Sequence, residues 1–330
     1  SKDSAFVKIV AVSPGGSRLA TAHDRNAVRI WNANSGTILN KIEMAAQRVT
    51  AMTFSPVDST LWLGFEDGSL AVYDQNYKLR TTSSVGKTAI HALAFSRQGY
   101  AAAACGDGRL LIWEVNHAKH LQISQAHESD ILALAFSEDG KYLVSGSKDQ
   151  TAKVWEIPGS KLVHTLKGHT ASVHSVAFSN DAGHLLTASE DGTIRRWAFA
   201  YPAPLCLAEG NHGRITDLDW LPDGRVLAAT RTGYCLLWNT KSAAANPEVL
   251  DAGSSLTSIV STSDGRRFAT GDEDGWVKVW NLGSGPIQFY KEKQLNAASV
   301  GALAFSGDGK SILSGGDDGL AQIWAIETEN

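Results

Sequence analysis

Two stretches of the chain bring together residue types that elsewhere perform nucleophilic catalysis. His127 is followed by Ser147 and Asp149, and His169 by Ser189 and Asp191. An imidazole that takes a hydroxyl proton, itself oriented by a carboxylate, would activate such a serine for acyl transfer. Each set ends on a tryptophan, Trp155 or Trp197, six residues beyond the Asp. The identical spacing argues against catalysis, because a group that recurs at a fixed interval belongs to a repeated structural unit. No G-x-S-x-G nucleophile elbow accompanies either set. No catalytic residue is expected.

Other reactive spacings are equally bland. His117 and His120 lie three apart in a polar connection and read as a solvated loop rather than a metal pair. GDEDG (271–275) and GGDDG (315–319) are acidic but too tight for the long ligand loop that calcium needs. GKT at 86–88 has Thr81 where a phosphate-binding loop requires its first Gly. No metal and no cofactor are expected. Cys105, Cys206 and Cys235 form no CxxC pair and read as buried thiols in a reducing, cytoplasmic compartment.

Bulk composition narrows the partners. The 330 residues are 43% hydrophobic and 19% charged with a net charge of -4, a globular balance that excludes a disordered chain. An acidic chain without a basic stripe does not suit nucleic acid; Arg195-Arg196 and Arg266-Arg267 are isolated spots. No apolar run is long enough to span a membrane, and SKDSAFVKIV has no signal-peptide core. The chain opens on Ser, which points to a module of a longer protein.

The elements that must position these residues follow from a period. Trp31, Tyr73, Trp113, Trp155, Trp197, Trp238, Trp280 and Trp324 recur every 40 to 44 residues. Six residues before the aromatic stands Asp67, Asp107, Asp149, Asp191, Asp274 or Asp318. Repeat one carries Asp24 one place earlier, and repeat six has Thr232. Alternating runs such as ILALAFS (131–137) predict strands. Turns such as EDGK (138–141) and GDGK (307–310) supply the Asp-Gly of tight hairpins. Each unit predicts four antiparallel strands, too small a sheet to bury both its faces alone, so neighbouring sheets must stack.

The pattern resembles the Trp-Asp (WD) repeat family over essentially all of residues 1–330. The resemblance implies one all-β domain, a β-propeller of eight four-stranded antiparallel blades. It also implies a hydrogen-bonded tetrad, matched in full by His127, Ser147, Asp149 and Trp155 and by His169, Ser189, Asp191 and Trp197. In it the Asp accepts from the imidazole, and the His donates inward to the hydroxyl. Repeat six keeps His212 and Thr230 without the Asp; repeats two, three, seven and eight keep the Asp without a His. Apolar packing is expected to replace the tetrad there.

The eighth blade is short of sequence. Only six residues follow Trp324, and only six precede the strand beginning at Val7. Its outer strand is missing because the chain is a fragment, because the blade has three strands, or because a partner adds one; the fragment reading is preferred.

The resemblance implies a non-catalytic scaffold that holds protein or peptide partners on the face carrying the His loop and the Asp turn. Mixed charge suits protein recognition there: Glu66, Lys148, Glu190, Glu273 and Asp317 precede the Asp, Arg231 precedes Thr232 in its place, and Arg48, Asp130 and Arg214 precede first strands. Arg214 and Arg231 in repeat six could clamp a carboxylate. Tyr234 and Trp276 share one position, four residues before the repeat Trp, and read first as packing between blades and second as exposed binding anchors. The alternatives are a sensor controlling a covalently attached effector domain and, less favoured, a propeller enzyme.

Overall fold

The computed structural model describes residues 7–23, 27–33, 35–44, 47–115, 120–123, 125–179, 183–198, 201–208, 213–239, 247–283 and 286–326. Among these, 31 strands form eight antiparallel sheets, each a simple meander in chain order. The fourth sheet is representative: Ile131–Phe136, Tyr142–Ser147, Ala152–Glu156 and Lys161–Leu166. Leu143 faces Trp155 across the second and third strands, and Trp155 faces Leu162 across the third and fourth. The turn at 138–141 closes as its residues dictate. Asp139 accepts from Ser137 Oγ (2.7 Å) and the Lys141 N–H (3.1 Å), and Gly140 takes φ 66°.

The sheets group into two compact units. One contains sheets two to five; the other contains sheets six, seven, eight and one.

Second strands carry the core of each unit. Ala101 to Cys105, Leu143 to Ser147 and Leu185 to Ser189 are all buried, on both faces of the strand. A strand covered on both sides reads as continuous small and apolar residues instead of an alternation. Where the strand offers glycine, the first strand of the next sheet presses in. A Cβ on Gly64 would lie 2.7 Å from Ile90, one on Gly146 2.9 Å from Val173, and one on Gly271 2.7 Å from Val300. The same fit closes sheet eight onto sheet one within their unit, since a Cβ on Gly315 would lie 2.6 Å from Val7.

First strands expose an edge that nothing within their own sheet pairs. Side chains of the preceding sheet bridge it. Thr50 Oγ1 donates to the Ile90 carbonyl (2.7 Å). Asp217 accepts from the Ile259 N–H (3.0 Å), and Asp219 from the Ser261 N–H (2.6 Å). These bonds satisfy backbone groups that would otherwise invite foreign strands. The eighth sheet has three strands among the described residues, Val300–Phe305, Ser311–Gly316 and Ala321–Ala325.

Candidate protein-interaction site

The two recurring His–Asp sets form matching networks. His127 Nδ1 lies 2.8 Å from Asp149 Oδ2 and its Nε2 lies 2.7 Å from Ser145 Oγ; Trp155 Nε1 donates to the same Ser145 Oγ at 3.0 Å. His169 repeats this with Asp191 (2.8 Å), Thr187 (2.6 Å) and Trp197 (2.9 Å). The hydroxyl is therefore that of Ser145 or Thr187, which corrects the expectation of Ser147 and Ser189. Register explains the difference. Trp155 faces Leu143, and the next residue on that face is 145; residue 147 lies four positions from 143, about 13 Å away and beyond an indole's reach. Ser147 and Ser189 instead tie the Asp turn to the loop before the first strand. Each accepts from the N–H of its Asp (3.1 Å), and they donate to the carbonyls of Ser129 and Ala171.

The direction of the bonds follows from the charges. Burial pushes Asp149 upward, but hydrogen bonds from His127, Thr151 and the Glu128 N–H outweigh it and hold the carboxyl far below its usual range. Asp191 is likewise brought down to about 2 by Thr193, two backbone N–H groups and His169, against the effect of burial. An ionised carboxylate only accepts, so Nδ1 carries the proton. Burial lowers the His169 pKa and keeps the ring neutral, so Nε2 accepts from the Thr187 hydroxyl, while that oxygen accepts from Trp197. The Thr187 hydroxyl donates to the imidazole, reversing the expected order. Ser145 and Thr187 are fully buried, so neither oxygen is open to a substrate.

Sequence reasoning also missed a substitute for His. In the eighth sheet Asn296 donates to Asp318 (2.9 Å) and accepts from Ser314 (2.8 Å), mimicking both imidazole nitrogens. A signal was available: a hydroxyl stands ten residues before the repeat Trp at Thr21, Ser145, Thr187, Thr270 and Ser314. The corresponding indoles of Trp31 and Trp280 donate to Thr21 and Thr270. Repeat six has Ala228 at that place, and the buried Trp238 Nε1 has no partner among the described residues. Thr230 turns to its own hairpin and bonds Tyr234. In the second and third repeats Trp62 packs edge-on against Phe95 (5.1 Å) and Trp113 (5.8 Å). Asp24, His117 and His212 lie outside the described residues, as do the side chains of His120 and Cys206. Cys105 and Cys235 are buried free thiols, and burial raises both pKa values.

In each unit a further contact fixes the Asp turn. The N–H before each Asp donates to the carbonyl before the first strand: Lys148 to Asp130 (3.0 Å), Glu190 to Ser172 (3.0 Å), Glu273 to Ser255 (2.9 Å) and Asp317 to Ser299 (2.9 Å). The two sets of positions singled out in the sequence are thereby adjacent in space. Lys148 Nζ reaches Asp130 at 2.7 Å, and Asp130 also lies 3.5 Å from His91. Glu190 receives Arg214 (2.8 Å) and His174 (3.1 Å). Arg231 pairs with Glu273 at 3.5 Å. Arg214 and Arg231 each face a carboxylate of their own unit. Glu66 and Arg48 hold the equivalent sequence positions in the second repeat.

Tyr234 and Trp276 are 38% and 36% exposed, and Leu320, at the equivalent position of the next sheet, is 46% exposed. Three consecutive sheets of one unit thus present an apolar side chain at the mouth of the Asp turn.

The profile described as "WD40: WD domain, G-beta repeat" matches residues 118–156, 160–198, 205–239, 248–281 and 289–325, more than half of the chain. The chain belongs to the WD-repeat family. Among curated relatives, the Periodic tryptophan protein 2 homolog of Dictyostelium discoideum is 31% identical over 150 residues, covering 44% of this chain and 16% of that protein. Eukaryotic translation initiation factor 3 subunit I of Coccidioides immitis is 32% identical over 166 residues, covering 44% and 48%. The chain therefore spans half or less of the length of these WD-repeat relatives. Among solved structures, Sqt1 from Chaetomium thermophilum, in the form bound to the N-terminus of the ribosomal protein L10, superposes with a TM-score of 0.86 at 19% identity, covering 98% of this chain and 97% of Sqt1. The computationally designed Ika8 protein gives 0.85 at 23% identity, covering 98% of both chains. The fold shared with these structures, built here from eight antiparallel sheets, is that of a β-propeller.

Proposed function

We propose that this WD-repeat chain is a non-catalytic platform for protein or peptide partners. They bind where the Asp turn meets the loop before the first strand. The row Tyr234, Trp276 and Leu320 carries the reading. Partly exposed aromatics beside charged side chains are the residues that dominate binding energy at protein interfaces. The Arg231–Glu273 pair joins the turns that lead into Tyr234 and Trp276 and would set orientation. That Sqt1, alike in fold, is bound to the N-terminus of ribosomal protein L10 supports peptide recognition by such a platform. The candidate contact set is Arg48, Lys148, Glu190, Arg214, Arg231, Tyr234, Glu273, Trp276 and Asp317. Lys148, Glu190 and Arg214 already pair within their own unit and would contribute by exchanging partners.

Two buried free thiols and the likeness to a translation initiation factor subunit support a cytoplasmic site of action. The experiment is affinity capture with wild-type and Trp276→Ala chains, each checked for an unchanged unfolding transition. Loss of captured protein with stability intact supports the platform; equal capture assigns Trp276 to packing.

A further inference from the structure

We infer that a polar cleft at the opposite end of sheets seven and eight binds the anionic side chain of a peptide between Arg266 and Lys310. The cleft has a volume of about 800 Å³, within the range of specific binding sites. It is walled by the turns between first and second strands, Thr262 to Arg267 and Gly307 to Lys310, and by Asn281 to Gly283. The Asp turns of the partner face lie at the other end of these antiparallel sheets, so this is a separate site.

The cations of the cleft differ from those of the neighbouring turn. In sheet six, Arg225 is folded onto Asp223 with Nε–Oδ2 at 2.7 Å and its side chain 22% exposed. The turn of sheet seven, SDGRR, has one residue more. Arg267 takes the inner place, 3.3 Å from Asn281 and 4.9 Å from the Tyr290 ring centre, as the first residue of its strand. Arg266 is thereby displaced to the tip of the turn. Its side chain is 84% exposed, and Nε stays 3.9 Å from Asp264, beyond hydrogen-bond distance. Lys310 occupies the same turn position in sheet eight.

One oxygen of each cleft carboxylate is engaged within its own turn. Asp264 Oδ1 accepts from Thr262 Oγ1 (2.6 Å) and the Arg266 N–H (3.0 Å), and Asp308 Oδ1 from Ser306 Oγ (2.6 Å) and the Lys310 N–H (3.0 Å). The backbones of the two cations are pinned as well. The Leu282 N–H donates to the Arg266 carbonyl (2.7 Å), and the Ile326 N–H donates to that of Lys310 (2.8 Å). Two fixed backbones thus hold two exposed cationic side chains on either side of a polar space. That arrangement suits a carboxylate or phosphate, which guanidinium and ammonium donors bind through charge-assisted hydrogen bonds.

The test measures binding of three labelled peptides to the chain by fluorescence anisotropy. They are identical except for glutamate, phosphoserine or glutamine at the central positions. The glutamate or the phosphoserine peptide should bind at least about tenfold more tightly than the glutamine peptide. Whichever binds identifies the anion as carboxylate or phosphate. R266E/K310E should abolish that preference, and R266Q/K310Q should weaken it; K141E, at the same turn position of sheet four, should leave it unchanged. Equal binding of all three peptides, an unaltered preference in both double variants, or an equal loss with K141E would overturn the site. Capture by the Trp276 face, measured on the same variants, is expected to persist, which separates failure here from failure of the platform.

Discussion

Val7 occupies the space in which a side chain on Gly315 would stand: a Cβ there would fall 2.6 Å from Val7 Cγ1 and 3.0 Å from Val10 Cγ1. This contact joins the last sheet to the first, so the unit containing both depends on a residue with no side chain. Gly315→Ala should destabilise by about 1–3 kcal/mol, the usual consequence of overpacking a close-packed interior. Gly15→Ala should be nearly silent, because nothing lies within 4 Å of its Cβ position. Urea unfolding of the two variants against wild type checks the pair.

The hydroxyls give the second expectation. Ser145→Ala leaves both His127 Nε2 and Trp155 Nε1 without their buried partner, and should lower stability by about 2–4 kcal/mol. Ser147→Ala removes only the tie between two backbone segments and should cost about 1 kcal/mol. The converse change, Ala228→Ser, offers Trp238 Nε1 an acceptor and should stabilise by about 0.5–1.5 kcal/mol. Should Ser147→Ala prove the more damaging, the network has been assigned to the wrong serine.

The repeat, the strands and the Asp-Gly turns were legible because each is local: alternation, punctuation and a single period. The choice between Ser145 and Ser147 was not, since both lie on the same face of one strand. Only the pairing of Leu143 with Trp155 decides which hydroxyl the indole meets. Asn296 escaped notice because its role depends on geometry shared with histidine and not on residue type. The fit of Val7 over Gly315 joins residues at opposite ends of the chain and leaves no trace in any window. The exposure of Tyr234 and Trp276 was equally hidden, because a shared strand face is compatible with packing and with solvent until the neighbouring sheet is placed.

Asp217 predicts the pH dependence. Burial raises its pKa to about 7 from an ordinary 3.8, against the lowering effect of the Ile259 and Leu218 N–H groups. The folded chain therefore holds a proton that the unfolded chain releases between those values. This contribution is complete below about pH 4 and is lost as pH rises through 7, on the order of 4 kcal/mol across the window. Asp191, lowered to about 2, acts oppositely: its contribution is present above pH 4 and is lost as pH falls toward 2. Asp217→Asn should flatten the decline between pH 4.5 and 7.5 in denaturant titrations; a slope equal to wild type would show that Asp217 titrates normally.

The third strand of the eighth sheet gives the last expectation. Ala321–Ala325 pairs with Ser311–Gly316 on one side and with no described strand on the other. The corresponding strand of the seventh sheet, Trp276–Asn281, is flanked on both sides, by Arg267–Asp272 and by Gln288–Gln294. In an antiparallel ladder alternate N–H groups point to opposite neighbours. Every second amide of Ala321–Ala325 should therefore exchange with solvent far faster than its counterparts in Trp276–Asn281, as measured by hydrogen exchange at residue resolution. A strand added there by another segment or another protein would raise protection at those same alternate amides and leave the rest unchanged. Uniform slow exchange along Ala321–Ala325 in the isolated chain would mean that the edge is already covered.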